Sequence, residues 1–299
     1  MSALAFAFLC VVWGTTWLAI KLTLESIPPF SGAALRFMVA ATILLLFSRF
    51  RGISLRINRS QFKILFWSGL LLYVLDYGLI YWGEQYLSAG VTAIFFATFP
   101  LFTGIFATFV FRDELFNWNK FFGLALGFAG ILIIFYDQLL QTDFKTIVVF
   151  AILAIILAAI GGALSTVMVK KYLSGIHAVS LSLHQMIWGA ASLLLFGVFA
   201  GELPHVHFRA KSVLAVIYLG AVGSALAFVL YYWLLRRIGA ISLSFVIYVT
   251  PVIAIIVDWL YFGQLVSLRT VGGLLLIFLG ITLSQINAYR SMLQRRRAA

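Results

Sequence analysis

Long apolar runs alternate with short polar segments along the whole chain. A helix that crosses a bilayer needs about 20 apolar residues, and ten runs approach or exceed that length. They lack the polar alternation of a lipid-facing strand, so helices are predicted rather than a barrel. The predicted spans are residues 3–24, 30–48, 62–82, 87–111, 118–136, 146–169, 178–200, 212–235, 240–262 and 267–289.

The pattern of the first half recurs in the second. A Tyr-Trp pair at 81–82 stands before Pro100 at the same interval at which the pair at 232–233 stands before Pro251. A glycine-rich run follows each proline. Since one repeat holds five helices, an odd number, the second copy is expected to enter the membrane from the opposite side.

These observations predict an all-α integral membrane protein whose ten transmembrane helices form two inverted five-helix repeats. The first repeat is placed at 1–136 and the second at 146–289, joined by the polar linker 137–145. A basic cytoplasmic tail is expected at 290–299.

Composition agrees with a membrane protein. Hydrophobic residues make up 64% of the chain and charged residues only 10%, against about half and about a quarter in soluble proteins. The mean hydropathy is +1.09. Ten spans leave room only for short connectors, so a soluble domain that binds nucleic acid is not expected. The sequence also lacks a phosphate-binding loop, a HExxH zinc motif and a nucleophile elbow, so we expect no cofactor, no metal and no enzymatic activity.

The net charge of +12 follows from the loops. With the N-terminus in the cytoplasm, fifteen Lys and Arg residues lie on the inner side and five on the outer side. Cytoplasmic loops carry the excess of basic residues in membrane proteins. The bias predicts that both termini are cytoplasmic.

Several motifs carry a resemblance to a known family. They are Trp13-Gly14, Arg36, YLSAGVTAIFFATFP at 86–100, GLALGFAGILI at 123–133, RRIGAISLSFVIYVTP at 236–251 and GGLLLIFLGITL at 272–283. Together they resemble the ten-helix EamA-type branch of the drug/metabolite transporter superfamily. Gly263-Gln264 depart from the acidic pair that often follows the ninth span in that family.

The resemblance implies a fold and a function. Its fold places a central cavity between spans one, three, four, six, eight and nine, with spans five and ten as scaffold or dimer contacts. Its function is export of metabolites, amino acids or drugs across a bacterial inner membrane.

Ionisable residues inside spans are expensive and point to function. Asp76 lies in the middle of the third span, and Tyr73, Tyr77 and Tyr81 recur beside it at intervals of four residues. That spacing places the tyrosines on one helical stripe. Aromatic faces with a carboxylate suit an amphipathic or cationic substrate. The alternative is that the tyrosines pack between helices and Asp76 is a structural hydrogen-bond partner.

Four further residues are predicted to face the cavity. Trp17 lies too deep for an interfacial tryptophan, and Tyr232 repeats Tyr81 in the second half. Tyr248 stands three residues before Pro251. Ser165 lies on a helix face of small residues, where close packing is the alternative role.

Proton coupling is assigned to Asp76 and, as a second candidate, to Asp258 in the ninth span. Asp258 has a competing interpretation, since it lies near the outer interface where solvent would satisfy it. Arg36 is expected to lock helices together rather than bind substrate. Pro100 and Pro251 each remove a backbone donor, and their matching positions favour hinges over static bends.

Two interpretations are kept for Lys21, which is near the outer end of the first span. It extends to the interface, or it forms a gating ion pair with Glu25 or Glu84.

The sequence thus predicts a secondary active or facilitative transporter that exports small metabolites, amino acids first, by alternating access. The alternative is a multidrug or cationic-compound effluxer of the same superfamily. An intramembrane enzyme and a passive channel are the more distant rivals. The expected partners are a small-molecule substrate and the lipid bilayer, with monomer and homodimer both open.

Overall fold

The computed structural model describes residues 2–111, 118–250, 252–253 and 267–297, with side chains up to 284. Every regular element among these residues is helical. The principal helices are α1 Ser2–Leu24, α2 Pro29–Phe50, α3 Arg59–Gly83, α4 Ala89–Val110, α5 Trp118–Ile134, α6 Thr146–Tyr172, α7 Ala178–Phe199, α8 Ala210–Leu235, α9 Ala240–Thr250 and α10 Leu268–Arg297.

Seven of these helices, α1 to α4 and α6 to α8, are long and apolar enough to cross a membrane, with 22 to 27 residues each. The described parts of α5, α9 and α10 add shorter apolar helices. The predicted helical membrane fold is confirmed. Two details differ from the predicted boundaries: a short helix, Tyr136–Leu140, occupies part of the linker, and α10 continues to Arg297 through most of the predicted tail.

Helix boundaries follow local sequence signals. Pro29 starts α2 at a position where a missing N–H costs nothing. Asn58 and Gln61 form a capping box at the start of α3. Gly52 and Gly201 follow α2 and α7 with positive φ angles of 64° and 70°, a conformation that glycine adopts without strain.

One end of the bundle gathers the α1–α2, α3–α4, α5–α6 and α7–α8 connections. Hydrogen bonds and ion pairs at this end join His207 to Ser26, Lys211 to Glu25, Ser212 to Ser26, Ser88 to Gln138 and Arg269 to Asp137. Helix α3 ends at this end of the bundle, whereas α8 begins there. The corresponding helices of the two halves therefore run in opposite directions.

Contacts between helices also repeat when the halves are exchanged. Helix α1 packs on α8 as α6 packs on α3, while α2 packs on α7 and α5 on α10. Corresponding residues stand 149 positions apart in the first two helices of each half, as Pro29 and Ala178 do, and 151 apart from Arg59 and Ala210 onward. The α7–α8 connection is two residues longer than its counterpart.

Each half also has a π-helical segment at the same place. These segments are Leu70–Asp76 in α3 and Ala221–Leu226 in α8. A π segment inserts a residue into the helix and frees backbone carbonyls, and such segments are frequent at functional sites. Both segments lie in the helices that border the centre of the molecule.

Candidate functional site

A cavity of about 60 Å³ lies at the centre of the bundle. Helices α1, α3, α4, α6, α8 and α9 supply its walls, the six spans that the family resemblance implied. The wall residues are Trp13, Thr16, Trp17, Ile20, Leu72, Asp76, Tyr77, Ile80, Phe96, Phe99, Thr166, Phe228, Tyr231, Ile247 and Thr250.

The two halves contribute corresponding positions to this wall. Four pairs stand 151 residues apart: Tyr77 and Phe228, Ile80 and Tyr231, Phe96 and Ile247, Phe99 and Thr250. Trp17 and Thr166 form a fifth pair at the offset of 149. The cavity therefore lies where the two repeats meet, which is the place of the substrate site in inverted-repeat transporters.

Aromatic rings make up much of the wall. The ring of Trp13 lies 5.3 Å from Tyr231 and 5.6 Å from Phe228. Trp17 meets Phe96 edge to face at 5.6 Å. Rings in this arrangement offer apolar faces to an organic body and a negative quadrupole to a cation.

Asp76 gives the wall its one charge among the described residues, and its counterpart in the second half is Ala227. The side chain is 2% exposed, and its Oδ1 atom has no hydrogen-bond partner within the described structure. A buried carboxylate oxygen without a donor is costly. This atom is therefore suited to receive a proton, a water molecule or a donor group of a substrate.

Arg36 lies behind the wall and ties the halves together. Its Nε atom donates to Ser224 Oγ at 2.7 Å and its Nη2 atom to the carbonyl oxygen of Gly223 at 3.1 Å, both in the π segment of α8. The guanidinium also stacks 4.7 Å from the centre of the Tyr77 ring. These contacts agree with the predicted locking role.

Three of the residues predicted from the sequence line the cavity: Trp17, Asp76 and Tyr77. Asp76 and Tyr77 lie at the end of the π segment of α3. Of the predicted tyrosine stripe, only Tyr77 reaches the cavity wall. Tyr77 is half-buried at the cavity, whereas Tyr73 and Tyr81 are fully buried among helices.

The structure places the other predicted wall residues in helix contacts outside the cavity. Ser165 Oγ donates to the carbonyl oxygen of Ser68 at 2.7 Å, which is the close-packing alternative. Tyr232 OH donates to Gln185 Oε1 at 2.6 Å. Tyr248 OH donates to the carbonyl oxygen of Leu124 at 3.1 Å, on the side facing α5.

Of the predicted hinges and the second predicted proton carrier, the structure describes only Pro100. Pro251 and Asp258 lie outside the described residues. Pro100 stands in the first turn of the second part of α4, Phe99–Val110, after a turn at Ala97 and Thr98 that follows the first part, Ala89–Phe96. The helix is thus interrupted just before the proline, and its role as a hinge stays a prediction.

Sequence reasoning missed Tyr231, Phe228 and Thr166. Thr166 Oγ1 lies 3.0 Å from Tyr231 OH, so the two form a polar pair on the cavity wall. The repeat offset contained the signal, because 151 positions after Tyr77 stands Phe228. The sequence comparison instead followed Tyr81 to its counterpart Tyr232, and both of these are buried away from the wall.

Two lysines donate hydrogen bonds to backbone carbonyl oxygens of the connections between helices. We call these contacts the Lys21 closure and the Lys170 closure. Lys21 Nζ donates to the carbonyl oxygens of Glu84 and Leu87 in the α3–α4 connection. Lys170 Nζ donates to the carbonyl oxygen of Ile238 in the α8–α9 connection at 3.1 Å. These are corresponding contacts, since the lysines stand 149 residues apart and the acceptors Leu87 and Ile238 stand 151 apart. The predicted partner Glu25 instead pairs with Lys211.

Known proteins resemble this chain over nearly all of its length. The uncharacterized transporter YoaV of Bacillus subtilis is 27% identical over 271 residues, which cover 91% of this chain and 92% of YoaV. Protein PagO of Salmonella typhimurium is 26% identical, covering 95% and 92%. The uncharacterized inner membrane transporter YedA of Escherichia coli is 27% identical, covering 86% of each chain.

A solved structure has the same fold. This crystal structure superposes with a TM-score of 0.82 over 97% of this chain and 98% of its own, at 19% sequence identity. The sequence profile of the EamA-like transporter family matches residues 1–136 and again residues 149–285. With both halves matched, the chain belongs to the EamA-like transporter family.

Proposed function

We propose that this protein is a secondary transporter that exports small amphipathic metabolites, amino acids first, by alternating access. This proposal rests on the aromatic cavity, which is built from corresponding residues of the two repeats and has Asp76 in its wall. A site at a repeat interface becomes open to either side when the two halves rock against each other. Transport is either facilitative or driven by proton exchange at Asp76.

The cavity supports a substrate with an apolar body and at least one positive or hydrogen-bonding group. Trp13, Trp17 and Phe228 offer apolar faces, while Thr166 and Tyr231 offer hydroxyl groups. An amino acid satisfies this arrangement through its ammonium group at Asp76.

A second candidate is export of lipophilic cations by the same site. It is favoured by one observation: Asp76 is the charged residue of the described wall, and its neighbours are aromatic. Cations bind aromatic faces more strongly where water is excluded. We propose the same membrane for both functions, the bacterial inner membrane, with both termini in the cytoplasm.

Counterflow in liposomes distinguishes these functions. Purified protein is reconstituted into liposomes that are loaded with one unlabelled amino acid at a time. Uptake of the same radiolabelled amino acid is then measured, and cationic dyes are tested in parallel. Accumulation of an amino acid against its gradient supports the first function, and dye counterflow alone supports the second. Flux without counterflow for any compound would identify a channel and contradict both.

Replacing Asp76 with asparagine tests the proton-exchange version. Asp76→Asn keeps the shape of the side chain but cannot exchange a proton, so we expect substrate flux to lose its dependence on a pH gradient. Asp143→Asn is the matched control, because Asp143 is exposed and pairs with Lys145 in a loop. Flux and pH profile equal to those of the unchanged protein would remove Asp76 from the coupling mechanism.

A further inference from the structure

Polar groups form a column along α3 from the cavity to the end of the helix. Asp76, Tyr77, Tyr81 and Glu84 span about 12 Å at 1.5 Å per residue. Tyr81 and Glu84 are fully buried, and the hydroxyl of Tyr81 and both carboxylate oxygens of Glu84 have no hydrogen-bond partner in the described structure. Buried polar atoms are nearly always paired, so a column of unpaired ones calls for an explanation.

Arg36 stands beside this column from the neighbouring helix α2. Its guanidinium lies over the ring of Tyr77. One turn earlier, Gly32 faces Tyr81, and a Cβ added to Gly32 would lie 3.3 Å from Tyr81 Cε1. The charge of Arg36 acts on Asp76 and on Glu84, and its Nη1 atom is unpaired among the described residues. Helix α2 thus brings Arg36 beside the stretch of α3 that joins the two carboxylates.

The second half has neutral residues at all three charged positions. Ala227, Gln185 and Leu235 stand where the first half has Asp76, Arg36 and Glu84. Gln185 is satisfied by hydrogen bonds, accepting from Tyr232 OH at 2.6 Å and donating to Ser68 Oγ at 2.8 Å. At these three pairs of positions, charge is therefore present only in the half in which Lys21 closes the α3–α4 connection.

We propose that Glu84 is a second proton-binding carboxylate of the transport cycle and that its protonation holds the Lys21 closure in place. This inference rests on the transport function proposed above. The Lys170 closure has a leucine at the corresponding position, so only one of the two closures responds to protons.

The proposed step is a proton transfer. A proton leaves the carboxyl group of Glu84 and is taken up by the carboxylate of Asp76, passing along the Tyr81 hydroxyl and water beside Arg36. The negative charge moves from the cavity to Glu84, while Arg36 and Lys21 stay protonated. Lys21 then has a carboxylate to bind in place of the backbone carbonyls, and the α3–α4 connection is released.

The surroundings of Glu84 support this assignment. Glu84 follows the last residue of α3, and burial raises the pKa of its carboxyl group, while the charges of Lys21 from α1 and Arg36 from α2 act against the rise. Tyr81 is the titratable neighbour on its own helix. On α6, the residues nearest to Gly83 are Ile155 and Ala151, and neither side chain is titratable. The proton-bound form therefore holds at low pH and is lost as the pH rises.

Thiol labelling tests this closure without any substrate. Cys10 is the one cysteine of the chain, so Cys10→Ala gives a thiol-free background into which Ile20→Cys, at the cavity wall beside Lys21, is introduced. Spheroplasts are exposed to a membrane-impermeant maleimide between about pH 5 and about pH 9. Each rate is divided by that of the same protein unfolded in detergent, which removes the intrinsic pH dependence of thiol reactivity.

We expect the normalised rate to rise several-fold with pH in the background protein. Glu84→Gln should stay slow at every pH, whereas Glu25→Gln, an exposed carboxylate at the same end, should keep the rise. Lys21→Met should be fast throughout, and this variant decides the matter if Glu84→Gln does not fold. An unchanged rise in Glu84→Gln, or slow labelling in Lys21→Met, would overturn the proposal. The counterflow experiment in liposomes tests the proposed transport function independently of this labelling experiment.

Discussion

At the scale of single residues, the chemistry of this protein depends on which polar atoms are left without partners. Most buried hydroxyl groups bond a carbonyl of their own or a neighbouring helix, as Thr103 does with Phe99 at 2.8 Å. By contrast, Asp76 Oδ1, the Tyr81 hydroxyl and both carboxylate oxygens of Glu84 have no hydrogen-bond partner among the described residues. The buried Arg36 differs from these residues, because its Nε and Nη2 atoms donate hydrogen bonds to the π segment of α8.

The bond from Arg36 to Ser224 is predicted to stabilise the fold. Ser224→Ala leaves the Nε atom of a buried guanidinium without an acceptor, so we expect a loss of about 1.5–3 kcal/mol in the free energy of unfolding. Thermal unfolding in detergent measures it. Thr42→Ala is the control, because the exposed Thr42 bonds only its own helix; equal stability of the two variants would contradict the prediction.

At the scale of helices, close approach of α5 and α10 depends on glycine. An added Cβ at Gly130 would lie 2.5 Å from the carbonyl oxygen of Gly273, and one at Gly273 would lie 2.7 Å from that of Gly130. Small residues let helix backbones approach where no hydrophobic effect drives association. These glycines therefore pack within one chain, which is the scaffold role among the two that the family resemblance implied.

Alanine at two adjacent positions of α10 separates packing from helix propensity. Gly273→Ala places a methyl group against the backbone of α5, so we expect destabilisation of about 1–3 kcal/mol. Gly272→Ala meets nothing within 4 Å, and we expect no loss or a gain of up to about 1 kcal/mol. Chemical unfolding in mixed micelles compares them. The prediction fails if Gly272→Ala is the less stable of the two.

At the scale of the whole molecule, the proposed alternating access depends on two halves that run in opposite directions through the membrane. The structure gathers the α1–α2, α3–α4 and α7–α8 connections at one end, and α3 starts from the other. Basic residues are concentrated in connections of that other end, such as 49–59. The positive-inside rule predicts that this other end lies in the cytoplasm.

Reporter fusions test this arrangement. Fusions near residue 56 should be active as cytoplasmic reporters, and fusions near residue 207 as periplasmic ones. The C-terminus, beyond Arg297, should behave like residue 56. Reporters near 56 and 207 in the same compartment would contradict the inverted repeat and, with it, alternating access.

The sequence by itself determined the class of the protein, the repeat and the family. Hydrophobic length and spacing are local and additive, so the helices and their order were predictable from composition and period. The same local information singled out Asp76, Tyr77 and Trp17, because a carboxylate or a tryptophan deep in an apolar run is anomalous wherever the helix faces.

Only the tertiary structure decided which faces meet. Tyr81 and Tyr232 are buried away from the cavity, while Phe228 and Tyr231 line it. The proximity of Lys21 to Glu84 and of Arg36 to Ser224 joins residues that are 63 and 188 positions apart. Such contacts arise from helix packing, and a one-dimensional pattern carries no distance between helices.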